Sequence, residues 1–115
     1  MCTALNLKTY NHYFGRNLDL DRSYNEEVCI MPRRFPLEFR KMGKTENHFD
    51  LIGMATVVSE IPLFYDAANE YGLSAAALNF PKNAYYPPTK KGKDNISPFE
   101  FIPWILSQCA NVSEA

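Results

Sequence analysis

Residues 1–21 read MCTALNLKTYNHYFGRNLDLD. TALNL (3–7) alternates enough to form a short strand. HYFGRNL (12–18) follows the turn-prone Asn11 and reads as its hairpin partner. The same stretch places Cys2 directly behind the initiator methionine and carries an Arg-x-x-Asp pair, Arg16 and Asp19. A cysteine at position 2 is either incidental or chemical, and its company decides which.

Methionine is commonly trimmed when the next residue is small, and cysteine qualifies. The product would carry a thiol and a free α-amine on one residue. In an unstructured peptide such an amine titrates at about 7.7–8.0 and such a thiol at about 8.5, so the amine can take the thiol proton without a histidine. A nucleophile paired with its own terminal amine is a known route to activation. Arg16 and Asp19 are three apart, so a regular strand points them to opposite faces. Both reach one site only if the strand ends, twists or bulges near Asn17 and Leu18. Failing that, the pair is a surface ion pair.

The chain has 115 residues, enough for one small domain, and 46% hydrophobic and 22% charged residues give a globular composition. A formal net charge of -1 supplies no electrostatic reason to expect nucleic acid or an acidic membrane as partner. No apolar run approaches the roughly 18–20 residues that cross a bilayer. A basic n-region and an apolar h-region are both lacking, so neither a signal peptide nor a lipoprotein role for Cys2 is expected. The three cysteines, Cys2, Cys29 and Cys109, are odd in number and form no CxxC pair. His12 and His48 are not spaced as zinc ligands, so neither metal nor cofactor is implied. A reduced, cytoplasmic setting fits this usage. Cys29 in EEVCIMP and Cys109 in ILSQCA sit among apolar residues and read as buried, inert thiols.

Further strands are expected over 27–32, 36–41, 51–58, 64–69 and 73–80, the last two joined by a turn with Asn69 and Gly72. The proline- and lysine-rich stretch 81–96 breaks the pattern. It is either a solvated connection or, with Tyr85 and Tyr86, a substrate rim. Ser97-Pro98-Phe99-Glu100 is a capping box that opens a helix, with Phe101, Ile105 and Cys109 as its buried face. Asn111 to Glu114 repeats the capping pattern and announces a helix just before the chain stops. One turn cannot stand alone. Six or seven strands with one helix also leave a sheet face uncovered. The expectation is therefore an α+β piece of a longer protein, with residues 1–115 as a single partial domain.

MCTAL, YFGRNLDLD, GLSAAALNFP and DNISPFEFIPWILSQC closely resemble the N-terminal third of the choloylglycine hydrolase family, which holds bile salt hydrolases and penicillin V acylases. The likeness runs over essentially all of the chain. Its motifs are specific in combination: Cys2, Gly15-Arg16-Asn17-x-Asp19 and Leu78-Asn79-Phe80-Pro81. It implies an N-terminal-nucleophile hydrolase and the N-terminal part of a four-layer αββα sandwich, mostly antiparallel strands followed by a helix.

In that resemblance Cys2 is the nucleophile that attacks an amide carbonyl. Arg16 lies beside its sulfur and favours thiolate. Asp19 holds the terminal amine, and Asn79 donates from its backbone N–H to the tetrahedral intermediate. Bile salt hydrolases tend to have Asn at this last position and penicillin V acylases often Tyr, so LNFP favours a conjugated bile salt as substrate. Leu18, Tyr24, Ile61, Phe64 and Tyr65 are candidates to line its pocket. The resemblance also implies a homotetramer for complete chains.

Family members are much longer, and the later Asn and Arg that complete their site have no counterpart here. Residues 1–115 are therefore expected to be inactive alone, more so if Met1 is retained and the amine of Cys2 is an amide. Two alternatives stay open: a penicillin V or other N-acyl amide hydrolase, and a non-catalytic truncated paralogue. Nothing in the sequence separates glycine from taurine preference.

Overall fold

The chain is seen in a computed structural model that describes residues 2–80 and 82–115. The removal of Met1 and the last residue of the Leu78-Asn79-Phe80-Pro81 motif lie outside the described residues. The first hairpin forms as expected: β1 (Thr3–Lys8) and β2 (His12–Asn17) pair antiparallel, with Leu5 opposite Gly15 and Leu7 opposite Tyr13. Thr9 N–H donates to the Asn11 carbonyl at 2.8 Å to close the turn.

The main sheet has four antiparallel strands in the order β3-β6-β7-β8: β3 (Glu27–Met31), β6 (Leu51–Val58), β7 (Ile61–Asn69) and β8 (Ser74–Ala76). Between β3 and β6, the expected strand 36–41 is a small hairpin, β4 (Leu37–Phe39) with β5 (Gly43–Thr45). β5 has no apolar residue to reveal it, and Gly43 makes the turn at φ 78. The expected strand 73–80 is only Ser74–Ala76; Ala77 to Phe80 leave the sheet.

β7 starts three residues earlier than the sequence predicts. The β6–β7 turn is Ser59-Glu60, with φ of 50 and 66, the paired left-handed geometry that Asn-Gly normally supplies. Neither residue type signals such a turn. Each carries a left-handed penalty of roughly 1–2 kcal/mol. Replacing Ser59-Glu60 by Asn-Gly is therefore expected to stabilise the protein by about 1 kcal/mol, seen as a higher midpoint in thermal or denaturant unfolding.

β7 also carries a bulge. Met54 pairs with Asp66 and Ala55 with Phe64, so Tyr65 is the extra residue. In an unbroken strand Phe64 and Asp66 would share a face. The bulge reverses the phase, so Phe64 is buried with Ala67 and Asn69 while Asp66 lies on the opposite face. Gly53 on β6 sits opposite Ala67 on β7. A Cβ there would stand 2.0 Å from the Asp66 carbonyl oxygen and 2.6 Å from the Ala67 Cα. Only backbone movement relieves that clash. Gly53→Ala is expected to cost about 3 kcal/mol or more in unfolding free energy.

The inner sheet face packs on α1 (Phe101–Leu106), which follows a 3₁₀ turn at Pro98–Glu100. Met31, Leu51, Ala55, Phe64 and Ala67 meet Ile102 and Leu106 there, with Leu37 and Phe39 closing the side. Trp104 meets Phe39 edge-on at 5.1 Å between centroids. The buried helical face is thus Ile102, Pro103 and Leu106. Of the expected trio only Cys109 is buried; Phe101 is 55% exposed. A 3₁₀ turn holds about 3.0 residues where an α-helix holds about 3.6, so each residue from Pro98 to Glu100 turns the chain further than an α-helix begun at Pro98 would.

The expected capping box forms between Ser97 and Glu100. Ser97 N–H donates to the Glu100 carboxylate at 3.0 Å, and Arg40 N–H donates to it at 2.7 Å. Burial raises the Glu100 pKa, but these N–H groups outweigh it and hold the carboxyl below its usual range. At the far end the second capping pattern gives one turn, with Glu114 N–H on the Asn111 side chain at 3.1 Å.

On its outer face the main sheet leaves Val28, Ile30 and Ile52 exposed. The β1–β2 hairpin adjoins that face near Met54 and Asp66. Helix, main sheet and hairpin therefore follow one another as layers, the partial α+β arrangement expected of a layered sandwich.

Candidate active site

β2 ends at Asn17, and the chain through Leu18 to Leu20 leaves regular structure. This is the break that Arg16 and Asp19 require to serve one place. Asn17 helps fix it, since its Oδ1 accepts the Thr3 N–H at 2.6 Å. The half-buried Cys2 directs its thiol at the Asp19 carbonyl oxygen, 3.7 Å away. Cys2 and Asp19 are thus together at the open end of the hairpin, through the backbone of Asp19.

Arg16 stands opposite Ala4, two residues beyond Cys2, so continuing the strand's two-residue period puts Cys2 and Arg16 on the same hairpin face. Its side chain is only 5% exposed and reaches across to the main sheet. Nη1 lies 3.4 Å from Asp66 Oδ2, and Nη2 donates to the Ala77 carbonyl at 2.7 Å. Nε is buried with no partner among the described residues. Asn79 lies exposed two residues past Ala77, on the irregular chain that follows β8.

A concavity of about 380 Å³ opens here, lined by Phe14, Gly15, Arg16, Leu18, Met54 and Asp66. A second, of about 320 Å³, shares Leu18 and Met54 and runs along Leu20, Arg22, Ser23 and Glu26. Of the expected pocket residues, Leu18 is in both. The others are elsewhere. Phe64 is 5% exposed in the core because of the bulge, and Ile61 follows the β6–β7 turn. Tyr65 shares a hydrogen bond of 2.9 Å between its hydroxyl and that of Thr56, and Tyr24 lies under the Arg22 guanidinium. The expected rim is also displaced. Tyr86 lines a different concavity, with Arg40 and Lys90, that shares no residue with the one at Arg16.

Met54 and Asp66 are the residues that sequence reasoning missed. A charged residue inside the apolar run FYDAAN was the available signal. The other thiols differ from Cys2 in setting. Cys29 is half-buried on β3, where burial and then the Glu27 charge push its pKa up and disfavour thiolate. Cys109 is buried after α1. Among the described residues no cluster of His, Cys, Asp or Glu could hold a metal ion, and no helix is long and apolar enough to cross a membrane.

The model of the family described as linear amide C-N hydrolases, choloylglycine hydrolase family, matches residues 2–115. The chain is 50% identical over 114 residues to the bile salt hydrolase/transferase of Lactiplantibacillus plantarum, covering 99% of this chain and 35% of that protein. It is 38% identical over 119 residues to the bile salt hydrolase/transferase of Clostridium perfringens, covering 99% and 36%. The fold matches the crystal structure of the mutant C2A conjugated bile acid hydrolase from Clostridium perfringens with a TM-score of 0.88 at 35% identity, over 99% of this chain and 36% of that one. An arginine-to-leucine variant of the same hydrolase matches with a TM-score of 0.85 at 32% identity, over the same shares. The chain spans about a third of the length of the curated relatives it matches.

Proposed function

The chain belongs to the choloylglycine hydrolase family of linear amide C-N hydrolases, and from that membership we propose that the full-length protein cleaves the amide bond of glycine- or taurine-conjugated bile salts with Cys2 as nucleophile. The substrate class is carried by the 50% identity, across nearly the whole chain, to a protein named for bile salts. Asn79 in LNFP supports it.

The chemistry follows from groups on Cys2 itself. With Met1 removed, the α-amine takes the thiol proton, and Arg16 supplies a positive charge near the hairpin end that favours thiolate. Asp19 anchors the amine. The sulfur adds to the amide carbonyl, and the Asn79 backbone N–H donates to the oxyanion. The ammonium returns its proton to the departing nitrogen of glycine or taurine as the C–N bond breaks, leaving a bile-acyl thioester on Cys2. The amine then takes a proton from water, whose oxygen attacks the thioester to release the bile acid and restore the thiol. The transferase half of the two relatives' names fits a thioester that an amine could intercept.

Residues 1–115 hold only part of this machinery in our proposal. One oxyanion donor and most of the pocket wall belong to the remaining length seen in the relatives, so this stretch alone is inactive. The homotetramer and the cytoplasmic setting are carried over from the family resemblance in the same proposal; light scattering and cell fractionation test them. The substrate claim is tested by giving the full-length protein glycine- and taurine-conjugated cholate and, separately, penicillin V. Release of glycine or taurine should outpace penicillin V cleavage. The reverse ranking would make it a penicillin V acylase, and no turnover of either would favour the non-catalytic paralogue.

A further inference from the structure

The Arg16–Asp66 contact crosses between two separate sheets. Arg16 is on β2 of the hairpin, and Asp66 is on β7 of the main sheet. Their side chains are 5% and 22% exposed, so the pair is largely removed from water, where a charge contact is worth more than at the surface. Asp66 is itself fixed. Its Oδ1 accepts the Met54 N–H at 3.3 Å, next to the bulge that turns it to the outer face.

Arg16 also holds the chain that leads to Asn79. Ala77 accepts from Arg16 Nη2 through its carbonyl and donates its N–H to the Tyr65 carbonyl at 2.8 Å. Tyr65 is the bulge residue. One irregularity in β7 therefore sets both Asp66 and Ala77, and Arg16 spans them. Asp66 is too well placed to be a surface counter-ion: its other oxygen is occupied by backbone, and it faces a buried guanidinium.

We propose that Asp66 is a positioning residue, which holds the Arg16 guanidinium at the hairpin end and through it sets Cys2 and the Ala77–Asn79 segment relative to each other. This rests on the reading of Cys2 as nucleophile. It does not rest on the identity of the substrate. Other charged groups on the chain that follows β2 are Asp19, Asp21, Arg22 and Glu26, the last two along the second concavity. Glu26 is engaged by the Ser23 hydroxyl at 2.7 Å and the Tyr24 N–H at 2.6 Å, so it does not replace Asp66 as the partner of Arg16.

The test uses the full-length protein and a readout that needs no bile salt: the pH midpoint for alkylation of Cys2 by iodoacetamide, read from the mass of the N-terminal peptide. Moving a cation away from a thiol raises the thiol's pKa. Asp66→Asn should raise the midpoint. Arg16→Leu should raise it equally, and the double variant no further. Asp66→Glu, which keeps the charge but moves it outward, should shift it in the same direction by less, and it decides the matter if Asp66→Asn does not fold. A lower midpoint in either Asp66 variant would mean that Arg16 stays in place and Asp66 merely neutralises it. That result, an unchanged midpoint, or additive shifts in the double variant would overturn the proposal. The expected shift without any bile salt turnover would keep the positioning role and discard the substrate reading.

Discussion

Cys2→Ala in the full-length protein is expected to lower amide hydrolysis by at least about 1000-fold, because removal of the nucleophile removes the covalent route altogether. The fold should not notice. Cys2 precedes β1 and is only half-buried, so thermal unfolding should stay close to that of the parent. Cys29→Ala should leave turnover within a few-fold, since burial and Glu27 already disfavour its thiolate. Cys109→Ala should also leave turnover intact at some cost in stability, because that thiol is 9% exposed. Release of glycine or taurine is the measurement for all three. A comparable loss in Cys29→Ala with the fold preserved would identify a different nucleophile.

Asn69→Leu is expected to cost about 3–5 kcal/mol, among the largest stability effects of any single change in this chain. Asn69 is 5% exposed and uses its whole amide. Nδ2 donates to the carbonyls of Leu106 at 3.0 Å and Cys109 at 2.7 Å, and Oδ1 accepts the N–H groups of Tyr71 and Leu73, both at 3.1 Å. One side chain thus ties the end of α1 to the turn between β7 and β8. Leucine has a similar volume and satisfies none of the four groups, and each buried group left unpaired costs about 1–3 kcal/mol.

Asn69→Asp makes the sign visible. A carboxylate oxygen would face two carbonyl oxygens, so the folded state favours the protonated form and raises the carboxyl pKa. The variant should be least harmed below the ordinary Asp value of about 3.9. It should lose further stability as pH rises above that value, until the raised folded pKa is passed. Denaturant unfolding at several pH values measures both variants.

Asn69 shows what the sequence conceals. Its type marks a turn, and a turn is where it lies, but the helix carbonyls that it satisfies are nearly forty residues away. β6 was readable because its apolar, β-branched run persists for eight residues. The first hairpin was readable from alternation about Asn11. β5 was not, because three polar and small residues pair only through the backbone. The bulge at Tyr65 was hidden for a related reason: one extra residue leaves composition unchanged but moves Phe64 from the expected pocket into the core. The helix was located by its cap, while FIPWIL is apolar throughout, so its composition did not single out Ile102, Pro103 and Leu106 as the buried face. At the candidate site the family resemblance named Cys2, Arg16, Asp19 and Asn79, of which the structure brings Cys2 to the Asp19 backbone and sets Arg16 on the chain that leads to Asn79. It did not supply Asp66, which meets Arg16 only where the hairpin and the main sheet come together.

With Met1 removed, Cys2 is expected to carry a free amine and to become acylated by a bile acid during turnover. Mass spectrometry of the full-length protein, quenched in acid during turnover of glycine- or taurine-conjugated cholate, tests it directly. The expected product is an N-terminal peptide beginning at Cys2, part of it heavier by one cholyl group through a hydroxylamine-labile thioester, with no adduct on Cys29 or Cys109. A fully active protein that retains Met1, or a cholyl thioester on another cysteine, would contradict it.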